Sequence, residues 1–118
     1  MQLNAHAFQL KDSLLFSQEA KNKAIERLKL MKERIAKGVD FNSLATLYSD
    51  DPGSRSKGGC YDSIRRGAFV PEFEAVAFKL KVGEVSDIFE TKYGFHIMIL
   101  RARRGDEVDV CHILIIPK

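Results

Sequence analysis

Apolar residues recur at every third or fourth position between residues 17 and 37. The apolar and small members of this series are Ala20, Ala24, Ile25, Leu28, Met31 and Ile35. With Lys, Arg and Glu between them, this spacing predicts an amphipathic helix with one core-facing side. Ser17 supplies a hydroxyl oxygen for unpaired N–H groups, and Gly38 can adopt the positive φ that ends a helix, so we predict them as its caps.

Shorter patterns predict the remaining elements. Asp40 is the expected N-cap of a second helix that contains Phe41 and Leu44, and Pro71 opens a third helix over Glu72 to Phe78. Short, partly β-branched apolar runs predict strands at Leu3 to Leu10, Cys60 to Ile64, Ile88 to Thr91 and Phe95 to Arg101. Together these elements predict an α+β domain with a small, mostly antiparallel sheet.

Composition narrows the class of protein. A chain of 118 residues is large enough for one hydrophobic core, and 45% apolar with 30% charged residues is ordinary for a soluble domain. No run of about 18 apolar residues exists, so we predict no membrane insertion. A net charge of +3 is too small to indicate nucleic acid as a partner.

The cysteines and histidines are few and widely spaced. Cys60 and Cys111 form no CxxC pair, and His6, His96 and His112 are far apart in sequence. This spacing predicts no metal site. A disulfide is compatible with the sequence, but a domain of this size does not need one, so we predict two free thiols.

The most specific pattern lies between Phe41 and Leu100. Its members are Phe41, Leu44, Ala45, Tyr48 to Asp51, Gly58, Gly59, Arg66, Gly67, Pro71, Phe73, Ala77, Phe78, Gly83, Glu84, Val85, Ser86, Thr91, Gly94 and His96. This pattern resembles a parvulin-type peptidyl-prolyl cis-trans isomerase domain. The resemblance implies a parvulin-like (FKBP-like) fold, in which about four helices surround a sheet of about four strands.

The implied chemistry is rotation about X-Pro bonds. This rotation is slow because the partial double bond must be broken, although the cis and trans forms differ little in free energy. A protein that binds the twisted amide better than either planar form accelerates the rotation. Such a mechanism is non-covalent, and we expect no cofactor and no metal.

The resemblance also implies a substrate pocket. Its expected residues are Tyr61, Phe69, Val70, Phe73 and Tyr93. Ordinary core packing is the alternative for each of these side chains. Tyr61 stands where the family usually has Leu, between Cys60 and Asp62, where the family has an acidic residue and a glycine.

Four residues are implied as catalytic: His6, Asp51, Thr91 and His96. His96 matches the second family histidine, and Thr91 stands where the family has the hydroxyl that bonds to the histidine pair. Asp51 matches the group that faces the substrate amide, with a solvated turn aspartate as the alternative. His6 would be the first histidine.

The register of the first strand stays open. Alignment on the lysine that usually ends this strand places Ala7 at the first-histidine position, whereas alignment with His112 favours His6. Because a slip of one residue turns a side chain to the opposite face of a strand, the two alignments predict different sites.

The two ends of the chain share a pattern. Residues 5–10 and 111–116 both place a histidine before a mainly apolar run, which is typical of the first parvulin strand. We therefore predict an isomerase domain at residues 1–104, and a linker with the first strand of a second, truncated parvulin domain at 105–118. The alternative is that residues 108–118 form one more strand of this domain.

This arrangement resembles SurA-like tandem periplasmic proteins. It implies unfolded or extended exported polypeptides, containing proline and aromatic residues, as partners, and the periplasm as the location. A weakly active or inactive peptide-binding chaperone module, which assists outer-membrane protein folding, is the alternative function. We expect a monomer in which an unpaired strand at 108–118 can exchange between chains.

Overall fold

The computed structural model describes residues 16–118 and has the predicted α+β class. Its elements in chain order are α1 (Gln18–Ala36), α2 (Phe41–Tyr48), a 3-10 turn (Arg55–Lys57), β1 (Cys60–Arg65), α3 (Pro71–Ala77), β2 (Phe89–Thr91), β3 (Gly94–Arg104) and β4 (Glu107–Ile115). The strand predicted at Leu3 to Leu10 lies outside the described residues. None of the helices between residues 16 and 118 has the length and apolar character needed to cross a membrane.

The predicted helix caps are confirmed. The Ser17 hydroxyl accepts a hydrogen bond from the Ala20 N–H at 3.0 Å, and the Asp40 carboxylate accepts one from the Ser43 N–H at 2.9 Å. Gly38 follows the C-cap of α1 with φ of 101°. Both helices therefore begin where an acceptor side chain satisfies otherwise unpaired N–H groups.

The four described strands form one antiparallel sheet in the order β1-β4-β3-β2. Strands β3 and β4 are its two interior members and are joined by a tight hairpin at Gly105, which has a positive φ of 58°. Both strands are almost fully buried at the end of the sheet that carries the histidines, because helices cover both faces there.

Alternate residues of the interior strands face different cores. Ile97 and Ile113 pack with α1 and α2 on one face of the sheet. Met98 and Val110 pack on the other face, in the cluster that contains Phe73 of α3. This period of two places α3 over the face on which the polar site is built.

Strand β4 follows the predicted domain boundary at residue 104 and yet belongs to the sheet of this domain. We expected residues 105–118 to leave this domain or to lie unpaired, but Glu107–Ile115 pairs with β1 on one side and β3 on the other. An apolar strand in this place satisfies its backbone hydrogen bonds on both edges and buries both of its faces. A second domain after residue 105 stays a prediction.

The prediction of two free thiols was wrong. Cys60 of β1 and Cys111 of β4 lie directly opposite each other and form a disulfide. The Asn42 side-chain nitrogen lies 3.0 Å and 3.3 Å from the two sulfur atoms. The error follows from the argument from size, because a domain that does not need a disulfide can still form one where paired strands bring two cysteines together.

Candidate functional site

A pair of buried histidines lies at the centre of the candidate site. His96 of β3 and His112 of β4 place their Nδ1 atoms 3.1 Å apart, with ring centroids separated by 5.3 Å. Both side chains have 0% exposure. The two strands hold the rings almost parallel, with an interplanar angle of 20°.

Hydrogen bonds continue from both ends of this pair. The Nε2 atom of His96 lies 2.8 Å from the Thr91 hydroxyl, which also accepts the backbone N–H of Tyr93. The Nε2 atom of His112 lies 2.7 Å from Oδ2 of Asp51. A continuous polar chain therefore runs across one face of the sheet, from the β2–β3 turn to the loop after α2.

The Asp51 carboxylate is saturated with donors. Oδ2 also accepts the hydroxyls of Ser54 and Tyr61, each at 2.7 Å, and Oδ1 accepts the backbone N–H of Gly53 at 2.9 Å. Burial alone raises the pKa of Asp51, but the hydrogen bonds from His112, Tyr61 and Ser54 outweigh it and lower the pKa to about 2. Asp51 is therefore a fixed carboxylate that only accepts.

When both rings are uncharged, the Asp51 carboxylate determines which nitrogen of each imidazole carries the proton. An ionised Asp51 requires the His112 proton on Nε2, which leaves His112 Nδ1 as an acceptor. The His96 proton then lies on Nδ1, and His96 Nε2 accepts the Thr91 hydroxyl. Burial is the main cause that holds the pKa of His96 well below its ordinary value, and a positive charge on His112 lowers it further, so the uncharged form of His96 is favoured.

Aromatic side chains enclose the histidine pair. Phe73 of α3 contacts both rings edge-on, with centroids 6.0 Å from His96 and 5.1 Å from His112. Phe89 of β2 stacks on His96 at 4.9 Å. Phe69 packs on Phe73 at 5.0 Å and remains half-buried, so its outer surface reaches solvent.

A bulge in β1 allows Tyr61 to reach this cluster. The pairing of β1 with β4 shifts register between Tyr61 and Ile64, and Ser63 there has a positive φ of 57°. Tyr61 and Ile64 consequently face the same core although three positions separate them. The Tyr61 ring meets Phe69 edge-on at 5.0 Å, which joins the polar chain to the aromatic wall.

The structure brings most of the predicted site residues together. Asp51, Thr91 and His96 belong to the polar chain, and Tyr61, Phe69 and Phe73 to the aromatic wall. Half-buried Val70 packs beside this wall, and the buried Tyr93 ring packs against Val70 and Leu114. His6 and Ala7 lie outside the described residues. The catalytic and substrate-binding roles of all these residues stay predictions.

Three participants were not assigned to this site from the sequence. They are His112, Phe89 and Ser54. His112 carried a signal, its similarity to His6, but was assigned to a following domain. Phe89 and Ser54 carry no signal of their own, because their roles depend on contacts made by distant segments.

No cluster of three or more His, Cys, Asp or Glu side chains with suitable geometry to hold a metal ion occurs between residues 16 and 118. The polar chain instead consists of two imidazoles, one carboxylate and hydroxyl groups.

The chain combines an antiparallel sheet flanked by helices with a buried histidine pair under aromatic rings. These features place it in the class of parvulin-type isomerase domains. The sequence profile described as "Rotamase: PPIC-type PPIASE domain" matches residues 7–102. The chain belongs to this PPIC-type family. The match ends before β4, so His112 lies outside it.

Curated relatives show the same relationship. The chain is 53% identical to the foldase protein PrsA of Geobacillus kaustophilus over 70 residues, which are 59% of this chain and 25% of the relative. It is 40% identical to the chaperone SurA of Saccharophagus degradans over 86 residues, 73% of this chain and 20% of the relative. The chain therefore spans about a quarter or less of these relatives.

Solved structures agree with the fold. A crystal structure of the peptidylprolyl isomerase PrsA from Bacillus anthracis matches with a TM-score of 0.51 and 30% identity, covering 83% of this chain and 37% of that one. The PrsA isomerase from Bacillus cereus matches with a TM-score of 0.52 and 32% identity, covering 80% and 31%. Both support the parvulin-like architecture.

Proposed function

We propose that this domain accelerates cis-trans isomerisation of X-Pro bonds in unfolded polypeptides. The observation that carries the proposal is the chain of hydrogen bonds from Asp51 through the two histidines to Thr91, buried under the aromatic wall. Family membership and the isomerase named in the solved relatives support it.

The site supplies what a twisted amide needs. Half-buried Phe69 and Val70 offer an apolar surface on which a proline ring can pack and lose water. Beneath it, the polar chain holds the imidazoles in fixed orientations, so no reorganisation is required when the amide loses its resonance. We propose that this arrangement favours the twisted amide over either planar form, without a covalent step.

The test is exchange NMR on short X-Pro peptides with and without the protein. We expect the exchange rate to rise well above the uncatalysed value and to fall by about tenfold or more in His96→Ala and Phe69→Ala. Leu47→Ala is the matched control, because Leu47 is 60% exposed and lies outside the described site. Amide spectra of each variant establish that it remains folded.

A second function is favoured by a specific observation. Both histidines and Asp51 have 0% exposure, and both Asp51 oxygens already accept hydrogen bonds. A site closed in this way suits a module that binds extended, aromatic-rich segments on Phe69 and Val70 with little catalysis. Absence of rate acceleration, together with peptide-induced shifts at these residues, would refute the isomerase proposal and leave this one.

We propose exported polypeptides that contain proline and aromatic residues as the substrates, and an extracytoplasmic compartment such as the periplasm as the location. The relatives named as foldase and chaperone support polypeptide substrates. The Cys60–Cys111 disulfide supports an oxidising compartment, because such bonds are rare where thiols are kept reduced. Mass spectrometry of the protein from intact cells tests this: two free thiols in the exported fraction would contradict it.

We also retain the proposal that residues 105–118 begin a second parvulin domain in a longer protein. The family match supports it by ending at residue 102, before β4. Truncation after residue 104 provides the test. A folded, cooperative truncated chain would favour the second domain, whereas loss of the fold would show that β4 is integral to this sheet and contradict it.

A further inference from the structure

Tyr61 makes a contact that a family leucine could not make. Its hydroxyl donates to Oδ2 of Asp51 at 2.7 Å, on the same oxygen that accepts the His112 proton. The side chain is only 6% exposed and its ring packs against both Phe69 and His112. The hydroxyl is therefore held in place by the ring and not by solvent.

We propose that Tyr61 is a positioning residue for the histidine pair, and that its hydroxyl fixes the Asp51 carboxylate so that Oδ2 receives the Nε2 proton of His112. This proposal rests on the proposed isomerase function for its effect on rate. Its effect on the carboxylate and the imidazoles does not depend on that function.

The geometry explains why one hydroxyl matters. Ser54 approaches Oδ2 from the same loop as Asp51, within three residues of it, and Gly53 holds Oδ1. Tyr61 is the donor to Oδ2 that comes from the sheet strand next to β4. It therefore ties the loop carboxylate to the strand pair that carries His112, and limits rotation of the carboxylate away from the imidazole.

Other titratable and charged groups of the described residues form no hydrogen bond or ion pair with the Asp51 side-chain oxygens. His96 is reached only through His112, and the Lys57 ammonium lies over the Tyr61 ring, 5.3 Å from its centroid. The neighbouring Asp50 is directed to the Ile116 N–H and to Lys118. Removal of the Tyr61 hydroxyl should therefore act mainly on Asp51 and His112.

The experiment compares wild type with Tyr61→Phe, which keeps the ring and removes the oxygen. Tyr48→Phe is the matched control, since Tyr48 is 39% exposed and its hydroxyl is not among the described side-chain donors to Asp51, which are Ser54, Tyr61 and His112. The carboxyl ¹³C signal of Asp51 and the imidazole ¹⁵N signals of His112 are followed against pH. In Tyr61→Phe we expect the Asp51 midpoint to rise by about one pH unit, because a charged hydrogen bond is lost.

Activity provides a second readout. The ratio of the variant's X-Pro exchange rate to that of wild type is expected to fall by about twofold between pH 6 and pH 3, because Asp51 takes up a proton at a higher pH in the variant. Peptide affinity at pH 7 should stay within about twofold, because the ring remains. A merely structural loss would lower the rate by the same factor at every pH.

The outcomes separate the two proposals. Unchanged Asp51 and His112 signals in Tyr61→Phe would overturn the positioning role, whatever the activity. Shifted signals would support it even in a protein without isomerase activity, and that result would count against the proposed function alone. A shift of equal size in Tyr48→Phe would overturn the specific role of Tyr61.

Discussion

Loss of the Cys60–Cys111 disulfide should remove a large part of this domain's stability. The bond joins residues separated by 51 positions, so it closes a long loop in the unfolded chain. In the chain-entropy account, a loop of this length contributes about 4 kcal/mol at room temperature. Domains of this size unfold with only about 5–15 kcal/mol in total, so the reduced protein should be marginally stable.

Urea unfolding followed by circular dichroism measures this loss. The oxidised wild type is compared with the double variant Cys60→Ala, Cys111→Ala, and each is repeated with a reductant. We expect the double variant to lose about 2–5 kcal/mol of unfolding free energy, the range seen when native disulfides are removed from small domains. Reductant should destabilise wild type by a similar amount and leave the double variant unchanged.

The reasoning would be refuted by a double variant within about 1 kcal/mol of oxidised wild type. The histidine pair offers a local readout of the loss of this disulfide. Cys60 precedes Tyr61 and Cys111 precedes His112, so the disulfide holds together the two strands that position both groups. Imidazole signals of His112 that broaden on reduction, before global unfolding, would show this coupling.

Two further predictions concern backbone and pH. Gly59→Ala should prevent stable folding, because at φ of 84° the added Cβ would clash with the His112 carbonyl oxygen and lie 2.7 Å from Cβ of Ala45. Gly67→Ala, with φ of 94° and open space around it, should cost only about 1–2 kcal/mol in urea unfolding, and equal losses would contradict this account. Burial and His112 lower the pKa of His96, so unfolding below about pH 6.5 takes up a proton and stability falls there with decreasing pH, by up to about 1.4 kcal/mol per unit. His96→Gln should flatten that slope, and an unchanged slope would argue against the buried, uncharged imidazole.

Local chemistry made much of the fold predictable. Ser17, Gly38 and Asp40 were identified as caps because each satisfies a requirement set by its immediate neighbours. The helices and three of the strands followed from periodicity for the same reason. Neither the cap residues nor the apolar periodicity indicates which strands pair with each other. The predicted division at residue 104 therefore could not be judged from these two signals.

The site was predictable where its residues lie in continuous motifs. Asp51 ends the run from Tyr48, and Thr91 and His96 flank the β2–β3 turn, so each could be matched to the family pattern through its neighbours in sequence. His112 was missed as a member because residues 105–118 were assigned to a following domain, although its similarity to His6 was noted. The second role of Tyr61 was missed because a pocket lining was inferred from its ring, whereas its contact with Asp51 depends on the hydroxyl.

The hydrophobic pattern does not determine which segment occupies the position of β4 in the sheet. Residues 5–10 and 111–116 both place a mainly apolar run behind a histidine, so this pattern alone does not decide which run is an interior strand. They differ at the residue before the histidine, which is Ala5 in one and Cys111 in the other. Only the second can bond covalently to Cys60. Under oxidising conditions the disulfide thus favours β4 in the centre of the sheet and holds His112 beside His96, a selection that apolar burial alone does not make.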